Sequence, residues 1–240
     1  MQRRTVVVGD VHGCCDELDR LLEALRLGSG DTICFLGDYI DRGPDPKGVI
    51  DRLLRLRGEG PRCVFLKGNH EDMFLAFLGA EGRYGDAFIA NGGAATLRSY
   101  GVRDFAGPEI AERLPPAHRQ FLLSLPSAAR LGRFFCAHAG IRPTRRLEDQ
   151  VEEDLLWIRE DFIAAPHAFP YTVLYGHTPG SDVRLDLPFK IGLDTGVVYG
   201  NRLSCLELPA GDLWQIVRGA RVVRRRSLAD QFRAAGIALA

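Results

Sequence analysis

Two periodicities divide the chain. Between residues 5 and 67, short runs of uninterrupted apolar residues alternate with longer segments whose apolar positions recur every third or fourth residue. Val6-Val7-Val8, Ile33-Cys34-Phe35-Leu36 and Val64-Phe65-Leu66 have the length and character of buried strands. Between them, Leu18, Leu21, Leu22 and Leu25 form an i, i+3, i+4, i+7 stripe. Val49, Leu53 and Leu56 form a second stripe, with Asp45 as N-cap, Pro46 as first helical residue and Gly58 as stop. The pattern predicts strands over 5–9, 32–37 and 63–67, joined by a helix from about Asp16 to Leu27 and another beginning at Pro46. Strands that alternate with helices form a largely parallel sheet.

Residues 72–126 lose the strand pattern. Helical pieces alternate there with breakers: Gly79, Gly82, Gly85, Asn91-Gly92-Gly93, Gly101 and Pro115-Pro116. This stretch reads as a helical excursion over the sheet edge. A hairpin turning at Gly132 is expected over 127–137, then a polar helical stretch over about 147–164. Strands are expected at 171–175, 189–193, 203–208 and 212–217, and their short connections suggest an antiparallel meander. No linker splits the chain, so one domain spanning 1–240 is expected.

The apolar runs share a second property. Five of them end on a small residue followed at once by a side chain able to bind a metal: Gly9-Asp10-Val11-His12-Gly13, Gly37-Asp38-Tyr39-Ile40-Asp41-Arg42-Gly43, Gly68-Asn69-His70-Glu71, Ala137-His138-Ala139-Gly140 and Gly176-His177-Thr178. Strand ends gathered at one sheet edge are where open α/β folds place their sites. The set Asp10, His12, Asp38, Asn69, His138 and His177 combines carboxylate, amide and imidazole without thiolate. That mixture suits Mn²⁺, Fe or Zn²⁺ better than Ca²⁺ or Mg²⁺. Six ligands exceed what one catalytic ion with an open position can use. They suit two ions about 3.5–4 Å apart sharing a carboxylate. Asp38 is the natural bridge, because its strand should lie between the other two of the first unit. Gly9, Gly37, Gly68 and Gly176 would let the backbone turn close to the ions.

Composition narrows the picture little. The 46% apolar and 26% charged residues and zero formal net charge are ordinary for a globular protein, and no polyanion partner is implied. The cysteines Cys14, Cys15, Cys34, Cys63, Cys136 and Cys205 contain no C-x-x-C pair, which argues against a thiolate zinc site. No apolar run approaches a membrane span, and nothing resembles a secretion signal. A cytoplasmic protein with reduced thiols is expected, with no membrane or nucleic-acid partner; the sequence leaves its oligomeric state open.

In order and spacing, the five motifs resemble the signature of the PPP-type phosphoprotein phosphatases, and most closely their short bacterial and phage members. The resemblance spans residue 5 to about 208, and Leu155-Leu156-Trp157-Ile158-Arg159 adds to it. It implies a four-layer α/β/β/α sandwich, two mixed β-sheets flanked by helices, the calcineurin-like metallophosphoesterase fold. It implies one ion on Asp10, His12 and Asp38, and a second on Asp38, Asn69, His138 and His177, with Mn²⁺ the first choice of metal. A hydroxide bridging the ions would attack phosphorus in line. His70 fits the general acid and Asp41 the group that orients it. Arg42 and Arg159, with Asn69, would contact the phosphoryl group; Arg142 competes with Arg159 for that role.

The other notable residues have plainer readings. His118, His167 and Trp157 read as structural, Asp194-Thr195-Gly196 as a strand-ending turn, and Arg221 to Arg226 as a solvated strand or tail. Cys14-Cys15 leaves a redox role open. The main functional expectation is a phosphatase acting on phosphoserine and phosphothreonine in proteins, with phosphotyrosine or a small phosphoester as further substrates. Glu71 after Asn69-His70 favours it. The alternatives are a diadenosine-tetraphosphate-type hydrolase, whose members tend to carry Asp there, and an inactive phospho-binding scaffold.

Overall fold

A strand that is apolar at every position must be covered on both faces. In the computed structural model, which describes residues 3–102, 110 and 113–237, that demand is met by two sheets packed face to face between two layers of helices. The elements in chain order are β1 (Thr5–Val8), α1 (Cys15–Leu25), β2 (Thr32–Phe35), α2 (Pro46–Leu56), β3 (Arg62–Phe65), α3 (Asn69–Phe77), α4 (Ala94–Ser99) and α5 (Pro116–Leu123). They continue with β4 (Ala128–Leu131), β5 (Phe134–Ala137), α6 (Glu152–Trp157), α7 (Glu160–Ile163), β6 (Thr172–Tyr175), β7 (Arg184–Asp186), β8 (Lys190–Gly192), β9 (Arg202–Leu208), β10 (Asp212–Val217), β11 (Val223–Ser227) and α8 (Ala229–Ala234).

The first sheet runs β11-β10-β9-β1-β2-β3, with β1, β2 and β3 parallel and β9, β10 and β11 antiparallel. The second runs β4-β5-β6-β8-β7. Alternate residues of one strand feed different cores. Val6 and Val8 face α1 and α2, whereas Val7 joins Cys34, Leu36, Cys136 and Leu174 between the sheets. Phe135, Ala137, Val173 and Tyr175 face outward from the second sheet onto Leu155, Ile158 and Phe162. Truncating a residue such as Leu174 to Ala would cost about 2–5 kcal/mol.

Three expectations change. The five ligand-bearing junctions do not line one sheet edge: three end strands of the first sheet and two end strands of the second. The second half is a meander only in part: β9, β10 and β11 are antiparallel neighbours, but β5, β6 and β8 are parallel; short connections do not fix pairing direction. The polar stretch over 147–164 is not one helix. It breaks into a 3₁₀ turn, α6 and α7, since Ile158 is extended at φ −60°, ψ 143°. Part of the 72–126 excursion lies outside the described residues; the rest is helical, and α3 starts earlier, at Asn69.

Candidate active site

Each predicted metal ligand, and the His70–Asp41 pair, lies just beyond a strand; Arg159 lies between α6 and α7. β1 leads to Asp10 and His12, β2 to Asp38 and Asp41, β3 to Asn69 and His70 in the first turn of α3, β5 to His138 and β6 to His177. The backbone there is unusual. Seven non-glycine residues have positive φ among the described residues, and five are His12 (44°), Asp38 (54°), Asp41 (70°), Arg42 (65°) and His177 (62°). Such conformations cost on the order of 1–3 kcal/mol each and persist only where the surroundings impose them. Here they are imposed by hydrogen bonds. The N–H groups of Val11 and His12 both donate to the Asp38 carbonyl, at 3.0 and 2.8 Å.

Glu71 braces the same loop from below. Its buried carboxylate accepts the N–H groups of Asp38 and Gly68 at Oε2, 2.9 Å each. At Oε1 it accepts those of Tyr39 and Ile40, at 2.8 and 3.3 Å. Burial and the Asp38 carboxylate push Glu71 up to about 8, against the pull of the Tyr39 and Gly68 N–H groups. Two glycines let these loops meet. Gly37 has φ +106°, and a Cβ there would lie 2.6 Å from the Gly68 nitrogen. At Gly176 the demand is steric, because a Cβ would lie 2.0 Å from Asp10 Oδ1.

The imidazoles are pre-set as ligands. His12 Nδ1 donates to the Ile40 carbonyl at 2.8 Å and His138 Nδ1 to the Leu36 carbonyl at 2.9 Å. Each Nε2 then carries the lone pair. His138 Nε2 lies 2.9 Å from Asn69 Oδ1 and 3.4 Å from Asp38 Oδ1, and His12 Nε2 lies 3.4 Å from Asp38 Oδ2. His177 Nδ1 lies 2.9 Å from the same Asn69 oxygen. Imidazole nitrogens, a carboxylate and an amide oxygen that converge in one buried place make the mixed N and O donor set of a transition-metal site. The donor set therefore fits metal ions. Ligand atoms of His12, Asp38 and His70, and of Asp38, His138 and His177, lie within 4.8 Å of one another, and Asp38 belongs to both groups.

Asp10 stands outside both groups. Its oxygens accept the His177 N–H at 3.2 and 3.0 Å, which ties the first sheet to the second. Burial, then the Asp194 and Asp38 carboxylates, push Asp10 well above the usual range. Burial also acts on Asp38, but His138, His70 and His12 outweigh it and hold this carboxyl well below that range.

His70 and Asp41 form a closed pair, with Nδ1 2.6 Å from Oδ2 and both side chains buried. Burial drives the two in opposite directions, lowering His70 to about 4 and raising Asp41. A separation of 2.6 Å between these two atoms requires one proton between Oδ2 and Nδ1. Sequence reasoning missed the third member. Thr96 on α4 donates its hydroxyl to Asp41 Oδ1 at 2.5 Å and accepts the Asp41 N–H at 2.9 Å.

The two arginine candidates differ plainly. Arg142 is engaged, Nε with Asp154 and Nη1 with Asp161, each at 2.8 Å. Among the described residues the Arg159 side chain makes one long hydrogen bond, 3.3 Å, to the Thr178 hydroxyl, and its charge helps to depress both His70 and His177. Arg42 Nη1 reaches His12 Nε2 at 2.8 Å.

A family model described as calcineurin-like phosphoesterase matches residues 3–214. The chain belongs to the calcineurin-like phosphoesterases. Members hydrolyse phosphoesters at a dinuclear metal centre, and the convergent ligands described above are this phosphoesterase's candidates for one. Curated relatives include the asymmetrical bis(5'-nucleosyl)-tetraphosphatase PrpE of Anoxybacillus flavithermus, 27% identical over 85% of this chain and 89% of that protein. The PrpE of Halalkalibacterium halodurans is 28% identical with the same coverage. A crystal structure described as a candidate diadenosine tetraphosphatase superposes with a TM-score of 0.69 at 27% identity, covering 89% of this chain and 93% of that one. A cold-active protein-tyrosine phosphatase from Shewanella, TM-score 0.62 and 17% identical over 92% of this chain and 80% of its own, shares the fold.

These relatives overturn the expectation of a protein serine/threonine phosphatase. The structure explains why the sequence argument misled. Glu71 was weighed as a substrate marker, but it faces the backbone of the Asp38 loop. Asn91-Gly92-Gly93 and helix α4 after it support candidate site residues: the Gly92 carbonyl accepts the Arg42 N–H at 3.1 Å, and Thr96 holds Asp41. Glu71 and Asn91-Gly92-Gly93 thus brace the backbone of the site.

The remaining positions have structural partners. His118 bridges the Tyr100 hydroxyl at 2.8 Å and Asp51 at 3.0 Å, and His167 Nε2 meets the Phe189 carbonyl. Trp157 packs edge-on against Tyr84. The arginine run lies largely on β11, where Arg225 and Arg226 pair with Asp212 and Asp182. All six cysteines are free, and burial pushes Cys14 and Cys15 up to about 12, which keeps them as thiols. No helix among the described residues is long and apolar enough to cross a membrane.

Proposed function

We propose that this phosphoesterase hydrolyses bis(5'-nucleosyl) tetraphosphates asymmetrically, to a nucleoside triphosphate and a nucleoside monophosphate. The observation that carries this reading is the alignment with asymmetrical tetraphosphatases across 85% of the chain and 89% of theirs. Asp10, His12 and Asp38 would hold one divalent ion, and Asp38, Asn69, His138 and His177 the other, with Mn²⁺ favoured over Fe or Zn²⁺ by the mixed O and N set. Such ions supply a Lewis acid for the phosphoryl oxygens and lower the pKa of bound water. Arg42 and Arg159 grip the phosphoryl oxygens, for which the planar guanidinium fork is suited. His70 Nε2–H protonates the departing phosphate oxygen, with Asp41 and Thr96 fixing the ring.

The test is product analysis. Purified protein with Mn²⁺ and diadenosine tetraphosphate should yield ATP and AMP in equal amounts on anion-exchange chromatography. Intact substrate, alongside turnover of p-nitrophenyl phosphate in the same preparation, refutes the reading. Two equivalents of ADP refute the asymmetric cut.

A further inference from the structure

A cavity of about 480 Å³ opens beside the centre, walled by Arg42, Gly43, Arg98, Ser99, Val198 and Arg218. Arg42 links it to the catalytic ligands. Its Nη1 lies 2.8 Å from His12 Nε2, and its guanidinium lies 5.6 Å from the ring centre of Tyr199, which is 62% exposed. The three cations come from separate parts of the fold: the loop after β2, helix α4 and the turn between β10 and β11. Helix α4 serves both places, sending Thr96 to Asp41 and Arg98 to the cavity.

The charges are arranged in a gradient. Arg98 is exposed and forms no ion pair among the described residues, so its charge is uncompensated. Arg218 is balanced by Glu17 at 2.6 Å. No carboxylate among the described residues lines the cavity. A smaller cavity of about 320 Å³ shares Pro44 and Arg218 with it and is lined by Asp16, Glu17 and Asp45. Positive charge therefore starts at the centre, extends to Arg218 and ends at carboxylates.

We propose that this cavity binds the polyphosphate chain of the substrate, the part that leaves as triphosphate, with Arg98 as a specificity-determining residue. The inference rests on the tetraphosphate reading and adds where the chain lies. A simple monoester fills only the metal centre. A linear polyphosphate carries further anionic groups outside it, and these need cations in line with Arg42 and a neutral or positive wall.

The test compares metal-loaded wild type with Arg98→Ala and Arg98→Lys, metal being kept in excess. For diadenosine tetraphosphate, Arg98→Ala should raise KM about tenfold while changing kcat less than about twofold, with Arg98→Lys between. Turnover of p-nitrophenyl phosphate should be unchanged. Inorganic tripolyphosphate should inhibit that turnover competitively, about tenfold more weakly in Arg98→Ala. Unchanged KM and unchanged tripolyphosphate inhibition overturn the proposal. If wild type leaves diadenosine tetraphosphate intact yet hydrolyses p-nitrophenyl phosphate, the tetraphosphate reading falls and the tripolyphosphate arm decides the cavity: Arg98-dependent inhibition supports it, and inhibition that ignores Arg98 overturns it.

Discussion

The two sheets contribute to the centre in unequal ways. The first delivers Asp10, His12, Asp38, Asp41, Asn69 and His70 on loops that hold one another. Val11 and His12 hang on the Asp38 carbonyl, Glu71 gathers four N–H groups, and Thr96 clasps Asp41. The second sheet delivers two imidazoles that are placed by contacts across the gap: His138 on the Leu36 carbonyl, His177 on Asp10, and both on Asn69. The first half is organised by its own local bonds. The second completes the centre only by docking. Catalytic parts can thus be separated into those that survive local disturbance of the interface and those that depend on it.

Asp38 is where the halves meet, since it belongs to both ligand groups. Asp38→Asn should cause the largest loss, about 10³-fold or more in kcat/KM on diadenosine tetraphosphate, with metal content falling below two ions per chain. Elemental analysis beside kinetics checks this. A variant with both ions and full turnover would break the idea of a shared ligand. His70→Asn comes next and tests the first half alone. It should keep its metals and lose about 10²–10⁴-fold where the leaving group is a poor one. A departing phosphate with a second pKa of about 6 needs less help, so its loss should be smaller. A series of aryl phosphates should show a steeper leaving-group dependence in His70→Asn than in wild type. Parallel slopes would remove His70 as the acid.

The same asymmetry explains what could be read from sequence. The first unit was legible because Val6-Val7-Val8 and the Leu18–Leu25 stripe carry their periods in contiguous residues. Ligand candidates were legible because each follows directly on an apolar run. Pairing direction was not: nothing local in Thr172–Tyr175 states that β8 will run parallel beside it. Thr96 was invisible for the same reason, as a threonine in a helical segment 55 residues from its partner Asp41. Glu71 was visible but misread, because a buried carboxylate that serves backbone N–H groups looks, in letters, like one that faces substrate. The positive φ values at His12, Asp38 and His177 follow from the fold, since no glycine announces them.

Thr96→Val sharpens the comparison within the first half. It keeps the shape and leaves the Asp41 N–H and one carboxylate oxygen without a partner in a buried place, at a cost of about 1–3 kcal/mol. Activity should fall about tenfold, since His70 keeps Asp41 but loses its exact orientation. The missing hydroxyl also removes an influence that lowers Asp41. The alkaline limb of the pH–rate profile should move in Thr96→Val; a fall in stability with an unmoved profile would make Thr96 structural only.

The smallest effect tests the docking itself. Glu152 on α6, in the second half, accepts Lys67 Nζ at 2.5 Å and the Ser127 hydroxyl at 2.7 Å through Oε1, and Arg83 Nη1 at 3.1 Å through Oε2. Lys67 immediately precedes Gly68-Asn69, so this contact joins α6 to the loop that carries the proposed ligand Asn69 and the proposed acid His70. Burial alone would raise Glu152, but Lys67, Ser127 and Arg83 outweigh it and bring it down to about 2 from an ordinary 4.5. A folded value below the unfolded one means stabilisation that is complete above about pH 4.5 and lost as pH falls toward 2. Its side chain is 34% exposed, so solvent screening trims the contribution to about 1–2 kcal/mol. Glu152→Gln should therefore lower the urea midpoint at pH 7 and converge on wild type as pH falls through about 2. If the halves are coupled through this contact, the variant should also release metal at a lower urea concentration, before the first sheet loses its structure. Metal release and global unfolding that stay superimposed would show that the second half needs no latch beyond its apolar core.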